Sequence, residues 1–246
     1  MKLRLGAAVL AGVLAPLTAV TAPSPATAGV DTNPPAEGSC HDLTLREAFR
    51  PADPDPPVGC RRTHTSVTTN VLVLAAPPPD WGADRFVQRV SERCARGNLA
   101  YFSGRAKVVQ LSAVSQWIFF PTRAQREAGA AWVRCDVAID RGRGLKVLRD
   151  RPFPALRAPL GNHVARCRKG PENFLVTTCD QAHRYRAVRA LKYPGRTYPG
   201  QRRMIRWTVN HCRDALGRSF GFYEAATSYK WRTGYRFSIC FRRTRN

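Results

Sequence analysis

The chain has 246 residues, with 40 Lys and Arg against 17 Asp and Glu, a formal net charge of +23, and eight Cys. An apolar run stands at the extreme N-terminus and nothing comparable follows it, which excludes a chain of several membrane-spanning helices. The excess of positive charge points to anionic partners, and the length admits more than one domain with its own core.

Lys2 and Arg4 precede the run LGAAVLAGVLAPLTAV and the small-residue site Ala26-Thr27-Ala28. This pattern predicts a secretory signal peptide over 1–28, cleaved after Ala28. No Cys stands at that site to carry a lipid anchor. Export places the eight Cys where thiols are oxidised in pairs, so disulfides are expected in preference to zinc ligands or free nucleophiles.

Residues 29–38 are small, polar and Pro-containing and read as a flexible N-terminal segment. After Cys40, the stretch PADPDPP (51–57) cannot be helical. Next comes VGCRRTHTSVTTNVLVL, with Cys60 four positions before His64 and with Val67, Thr69, Val71 and Val73 alternating as in a strand. Cys with His is the stuff of zinc sites and activated thiols, so this pair invites a functional reading. A helical stripe of Phe86, Val87 and Val90 ends at Cys94, with Gly97 as the expected helix stop. Trp117, Ile118, Phe119 and Phe120 read as a buried strand, and PTRAQREAGAAWVRC leads into a last strand holding Cys135.

The same order then recurs. TTCDQAHRYRAVRALKY again sets Cys179 four positions before His183 at the head of a strand. Met204, Ile205 and Thr208 precede Cys212 at the offsets of the first stripe, with Gly217 as the stop. ATSYKWRTGYRFSIC aligns without a gap to PTRAQREAGAAWVRC, which matches Thr227 to Thr122, Gly234 to Gly129 and Cys240 to Cys135. Two homologous modules are therefore expected, 39–140 and 163–246, joined by an Arg-, Pro- and Gly-rich linker or strap over 141–162. The predicted fold is α+β: two tandem disulfide-stapled repeats, each a small antiparallel sheet packed on one helix, in the order strand, strand, helix, two strands. In each module the first two Cys flank a short connection, while the third ends the helix and the fourth sits in the last strand. This favours Cys40–Cys60 with Cys94–Cys135, and Cys167–Cys179 with Cys212–Cys240. Each bridge stabilises its module by roughly 3 to 4 kcal/mol in the chain-entropy account. The repetition recasts Cys60 and His64 as a module signature, with His64 and His183 packing beside a staple; neither metal nor cofactor is expected.

The modules resemble the septum formation family of exported actinobacterial proteins. The matching features are the Cys-x3-His lead-in at Cys60/His64 and Cys179/His183, and an ending of Thr227, Trp231, Gly234, Arg236 and Cys240. The first module keeps Pro121, Thr122, Gly129 and Cys135 but lacks the Trp and Arg, and the second has Ala226 where Pro is usual. The likeness covers about residues 38 to 240 and implies an extracytoplasmic, envelope-associated protein without specifying a reaction or ligand.

Charge separates the two halves. Positions 29–140 carry 13 Lys and Arg against 12 Asp and Glu, whereas 141–246 carry 25 against 5. Both halves share one genome, so coding bias does not explain the asymmetry. Arg184, Arg186, Arg189 and Lys192 follow the second His; Arg196, Arg202, Arg203 and Arg206 surround the helix start; Arg242, Arg243 and Arg245 end the chain. The guanidinium fork suits phosphate and carboxylate, and Tyr185, Tyr193, Tyr198, Trp207, Tyr229, Trp231 and Tyr235 are interleaved as core or as stacking surfaces. The expected function is non-enzymatic binding of anionic cell-wall polymer or membrane surface by the second module. Nucleic acid ranks below these because no recognised binding motif is present.

Two rivals are a basic secreted ribonuclease, using His163, His183 and His211 with Lys169 or Lys192, and a regulator whose neutral half binds a protein. No G-x-S-x-G, H-E-x-x-H or phosphate-cradling Gly loop supports a hydrolase.

Overall fold

Alternating Val and Thr, Thr-led short helices and eight Cys build two antiparallel sheets. The computed structural model describes residues 30–149, 153–170 and 175–244; the predicted signal peptide and Arg245 lie outside these residues. The first half runs β1 (Cys40–His41), α1 (Leu45–Ala48), β2 (Ser66–Val73), α2 (Asp84–Tyr101), α3 (Ala106–Leu111), β3 (Val114–Phe119), α4 (Arg123–Glu127) and β4 (Trp132–Ile139). Its sheet has the order β1-β2-β4-β3, every pair antiparallel. All eight residues of β4 are buried. On one side Val133 and Cys135 meet Phe86, Val90 and Cys94 of α2, and on the other Ala138 meets Phe119, Leu43 and Ala48.

The second half runs β5 (Arg166–Arg168), β6 (Val176–Thr178), β7 (Tyr185–Lys192), α5 (Gln201–Leu216), β8 (Phe220–Glu224), α6 (Ser228–Arg232) and β9 (Phe237–Arg243). Its strands lie in the order β6-β5-β7-β9-β8, so a central antiparallel pair is again flanked by a short strand and a returning one. The sulfurs pair as Cys40–Cys60, Cys94–Cys135, Cys167–Cys179 and Cys212–Cys240.

Local chemistry is shared by the two halves at matched positions. β2 bulges between Thr68 and Asn70, where Asn70 faces Cys135; β7 bulges between Ala187 and Arg189, where Arg189 faces Cys240. Thr122 Oγ1 accepts from the Gln125 backbone N–H at 3.3 Å, and Thr227 Oγ1 from that of Lys230 at 3.2 Å, so both residues are helix N-caps. Gly129 and Gly234 end these short helices at φ of 92° and 88°, a region that glycine enters without steric cost.

One expected boundary is corrected. Gly97 does not stop the helix, which continues to Tyr101. A Cβ at Gly97 would fall 2.5 Å from Asn70 Nδ2 and 2.8 Å from Asn70 Cβ, so the glycine serves close approach of α2 to the bulged strand. Gly217 does cap α5, at a φ of 51°.

Residues 141–162 act as a strap over the described part of their length. Leu148 exchanges backbone hydrogen bonds with His64, and Leu148, Phe153 and Leu156 pack with Phe102, Val109 and Ile139. The halves also share core: Leu111 of α3 lies against Ala187, Ala190, Ile239 and Phe241. The second sheet is thus covered by its own α5 on one face and by α3 of the first half on the other. Tyr229 Oη stands 2.8 Å from Ser91 Oγ, and Arg232 pairs with Glu92 at 2.5 Å across the same junction.

Candidate functional site

Each Cys-x3-His lead-in closes on itself. His64 Nδ1 is 2.8 Å from the Arg62 carbonyl, and His183 Nδ1 is 2.7 Å from the Gln181 carbonyl. A carbonyl only accepts, so Nδ1 carries a proton and donates in both copies. Both rings are buried, tying the turn after the staple to the strand that follows. Cys167, Cys179 and His183 lie within metal-ligand reach of one another, but both sulfurs are spent in the disulfide and have no thiolate to offer.

The basic residues of β7 are sorted by its bulge. Arg186 faces Arg242 and Arg189 faces Cys240, which puts these side chains on the α5 side of the sheet. Simple alternation would send Arg189 to the opposite side. Lys192 faces Phe237 and Arg243 faces Tyr185, on the other face. α5 lies mainly over β8 and β9, whereas α2 lies mainly over β2, so α5 covers β7 less than α2 covers β2. Arg184, Arg189, Arg242 and Arg243 are exposed, as are Arg196 in the preceding loop and Arg202, Arg203 and Arg206 on α5. None of these residues, nor Arg186 or Lys192, has a carboxylate at ion-pair distance among the described residues. Arg186 donates to Asn162 Oδ1 at 2.5 Å and to the Leu160 carbonyl at 3.3 Å. Burial and the facing Arg242 pull its guanidinium below the ordinary value. Counting from the bulge, the first-half counterparts of Arg186 and Arg242 are Val67 and Val137, which face each other at 0% and 1% exposure. A buried apolar pair in one sheet is a like-charged pair in the other.

The interleaved aromatics are used mainly inside. Tyr193, Tyr198 and Trp207 pack around Met204 and Trp231, Arg236 lies over the Trp231 ring at 5.3 Å, and Tyr185 packs on Phe222. His183 and Lys192 stand at opposite ends of a strand, roughly 30 Å apart at its rise per residue, too far to share one phosphate.

Two polar clusters have no sequence motif. At the junction, Glu224 of β8 meets Arg166 at 3.0 Å, Arg168 at 2.5 Å and Lys230 at 3.7 Å. Burial alone would raise the Glu224 carboxyl, but Arg166, Lys230 and Arg168 overcome it and hold the group at about 2. Burial draws the Lys230 amine down to about 8 against the pull of Glu224.

In the first half, Ser39 Oγ is 3.3 Å from His41 Nε2, and His41 Nδ1 is 3.4 Å from Asp53 Oδ2, the order of a hydrolytic triad. Arg134 changes its meaning: Nη1 lies 3.3 Å from His41 Nδ1, and Nη2 lies 2.7 Å from Asp53 and 3.1 Å from Asp136. A guanidinium only donates, so Nδ1 accepts and the ring proton sits on Nε2, facing Ser39 and Thr68. That tautomer cannot take the Ser39 proton. Hydrogen bonding and charge from Arg134 hold the Asp53 carboxyl at about 2 against the raising effect of burial. The cluster clamps the 51–57 loop to β4. Asp53 stands between Ala52 and Pro54 without a spacing that would mark it.

No helix among the described residues is long and apolar enough to cross a membrane, and four disulfides fit an oxidising, extracytoplasmic setting. No family model, curated protein or solved structure matches the chain.

Proposed function

We propose that the chain is an exported, non-enzymatic envelope protein built from two tandem septum-formation-like modules, whose second module binds an anionic wall polymer or membrane surface. Duplication is supported by the matched disulfides, bulges and Thr and Gly caps, and by the repeated Cys-x3-His closure. Polyanion binding is carried by one observation: Arg186 opposes Arg242, with no carboxylate at ion-pair distance among the described residues, where the first sheet has Val67 opposing Val137. Like charges directly opposed across strands destabilise a sheet. Arg202 and Arg203 begin α5, with no acidic residue in its first turn, and add a second unfavourable placement. An anionic polymer would neutralise both.

The test uses the whole chain from Gly29, because α3 of the first half covers a face of the second sheet. Retention on purified cell walls and on anionic vesicles is measured across a salt gradient for wild type and for Arg186→Gln/Arg189→Gln/Arg242→Gln. Salt-labile retention that weakens at least tenfold in the variant supports the proposal. Salt-indifferent retention, or equal retention by the variant, overturns it.

A further inference from the structure

A second site, separate from the basic face, lies where the two halves meet. A cavity of about 190 Å³ opens there between α3, β3 and β4 of the first half and α6 of the second. Its walls are largely apolar, including Val109, Val137 and the Tyr235 ring, and its polar lining includes Gln110, Arg166 and Lys230.

Gln110 is the informative residue. It is 3% exposed, and among the described residues neither its amide nitrogen nor its amide oxygen has a hydrogen-bond partner. A buried carboxamide left unsatisfied at both ends is costly, because it has given up water without replacement. Leu or Met would fill the same helical position without that cost. Charge around the cavity is also unbalanced. Arg166, Arg168 and Lys230 converge on the single carboxylate of Glu224. The nearby Asp140 carboxyl is pushed upward by burial, which weakens its contribution as a counter-charge.

We infer that this cavity binds a small carboxylate carrying an adjacent amide, the chemistry of a peptide's free C-terminal end. The carboxylate is taken by Lys230 and Arg166, and the amide pairs with both ends of the Gln110 side chain. The aliphatic walls accept a small side chain. A dry cavity near 150 Å³ accommodates benzene, so this volume suits a ligand of about eight to ten non-hydrogen atoms. Because Tyr229 of α6 bonds to Ser91 of α2, an occupant at this junction also braces the halves against each other.

The probes are N-acetylglycine, which has both groups, and acetate and N-methylacetamide, which have one each. Binding to the whole chain is followed by calorimetry and by the side-chain amide resonances of Gln110. Binding of N-acetylglycine at least tenfold tighter than either half-probe, with a shift of the Gln110 resonances, is expected. Gln110→Leu should lose that binding at least tenfold while melting at a higher temperature, and Lys230→Gln should abolish the preference for N-acetylglycine over N-methylacetamide. The inference is overturned if N-acetylglycine leaves the Gln110 resonances unmoved, if the half-probes bind as well, or if Gln110→Leu binds like wild type. The wild-type resonances decide the matter even where a variant fails to fold.

Discussion

Asn70 presses against Gly97, so that a Cβ on the glycine would sit 2.5 Å from Asn70 Nδ2. Two effects compete when Gly97 becomes Ala. Helix propensity favours Ala by roughly 1 kcal/mol, while overpacking costs about 1 to 3 kcal/mol. The second should prevail, because Asn70 Cβ also falls within 2.8 Å and cannot swing aside. Gly97→Ala is expected to lower the melting temperature, and Asn70→Ala in the same chain to restore much of the loss. Additive effects in that double-mutant cycle would show that the contact does not constrain α2.

Reverting the like-charged pair gives the opposite sign. Arg186→Val/Arg242→Val recreates the pair found at Val67 and Val137, replacing cross-strand repulsion with a β-branched cross-strand contact. A gain of about 1 kcal/mol, or roughly 2 to 4 °C in a chain of this size, is expected in thermal melts. The same variant should elute from anionic matrices at lower salt. A chain that is less stable and equally retained would mean the arginines are structural.

What could be read in the sequence was what short segments determine. The disulfide pairing follows from where each Cys stands among the elements of its repeat, Gly217 marks the end of α5, and the Cys-x3-His turn is closed by a residue two positions away. The bulge was not legible, because nothing in VTTN or AVRA marks the extra residue, yet it decides that Arg189 joins Arg186 while Lys192 leaves. Gly97 read as a stop because its partner, Asn70, is contributed by a distant strand. Glu224, Arg166 and Lys230 come from three elements, and His41, Asp53 and Arg134 from three more. Such sites exist only once the sheets are assembled. The short helix α4 does carry a local sequence signal, since Thr122 with Gln125 forms a capping box.

The buried histidines should behave as structural donors. Truncation of His64 to Ala leaves the Arg62 carbonyl unpaired and opens a void, with a cost of about 1 to 3 kcal/mol, and His183→Ala should cost a comparable amount. Zinc or a chelator should leave the melting temperature of the oxidised chain unchanged, since the neighbouring sulfurs are bonded to each other. A zinc-dependent rise in melting temperature that vanishes in His183→Ala would restore the metal reading of that motif.

Acid and base should act on the junction in separate pH windows. The Glu224 carboxyl is held at about 2 in the folded chain against an ordinary 4.5. Its stabilisation, on the order of 3 kcal/mol, is therefore complete above pH 4.5 and lost as pH falls toward 2. The Lys230 amine is drawn down to about 8 from 10.5. Between those values the unfolded chain binds more protons than the folded one, so this group makes stability rise with pH, reversing the sign of a surface lysine in an ion pair. Melting temperatures recorded from pH 2 to pH 10.5 should show both slopes. Glu224→Gln should flatten the acid limb, and Lys230→Met should flatten the alkaline limb while raising stability near neutrality, because Arg166 and Arg168 still neutralise Glu224. An alkaline limb unchanged in Lys230→Met would assign that rise to another group.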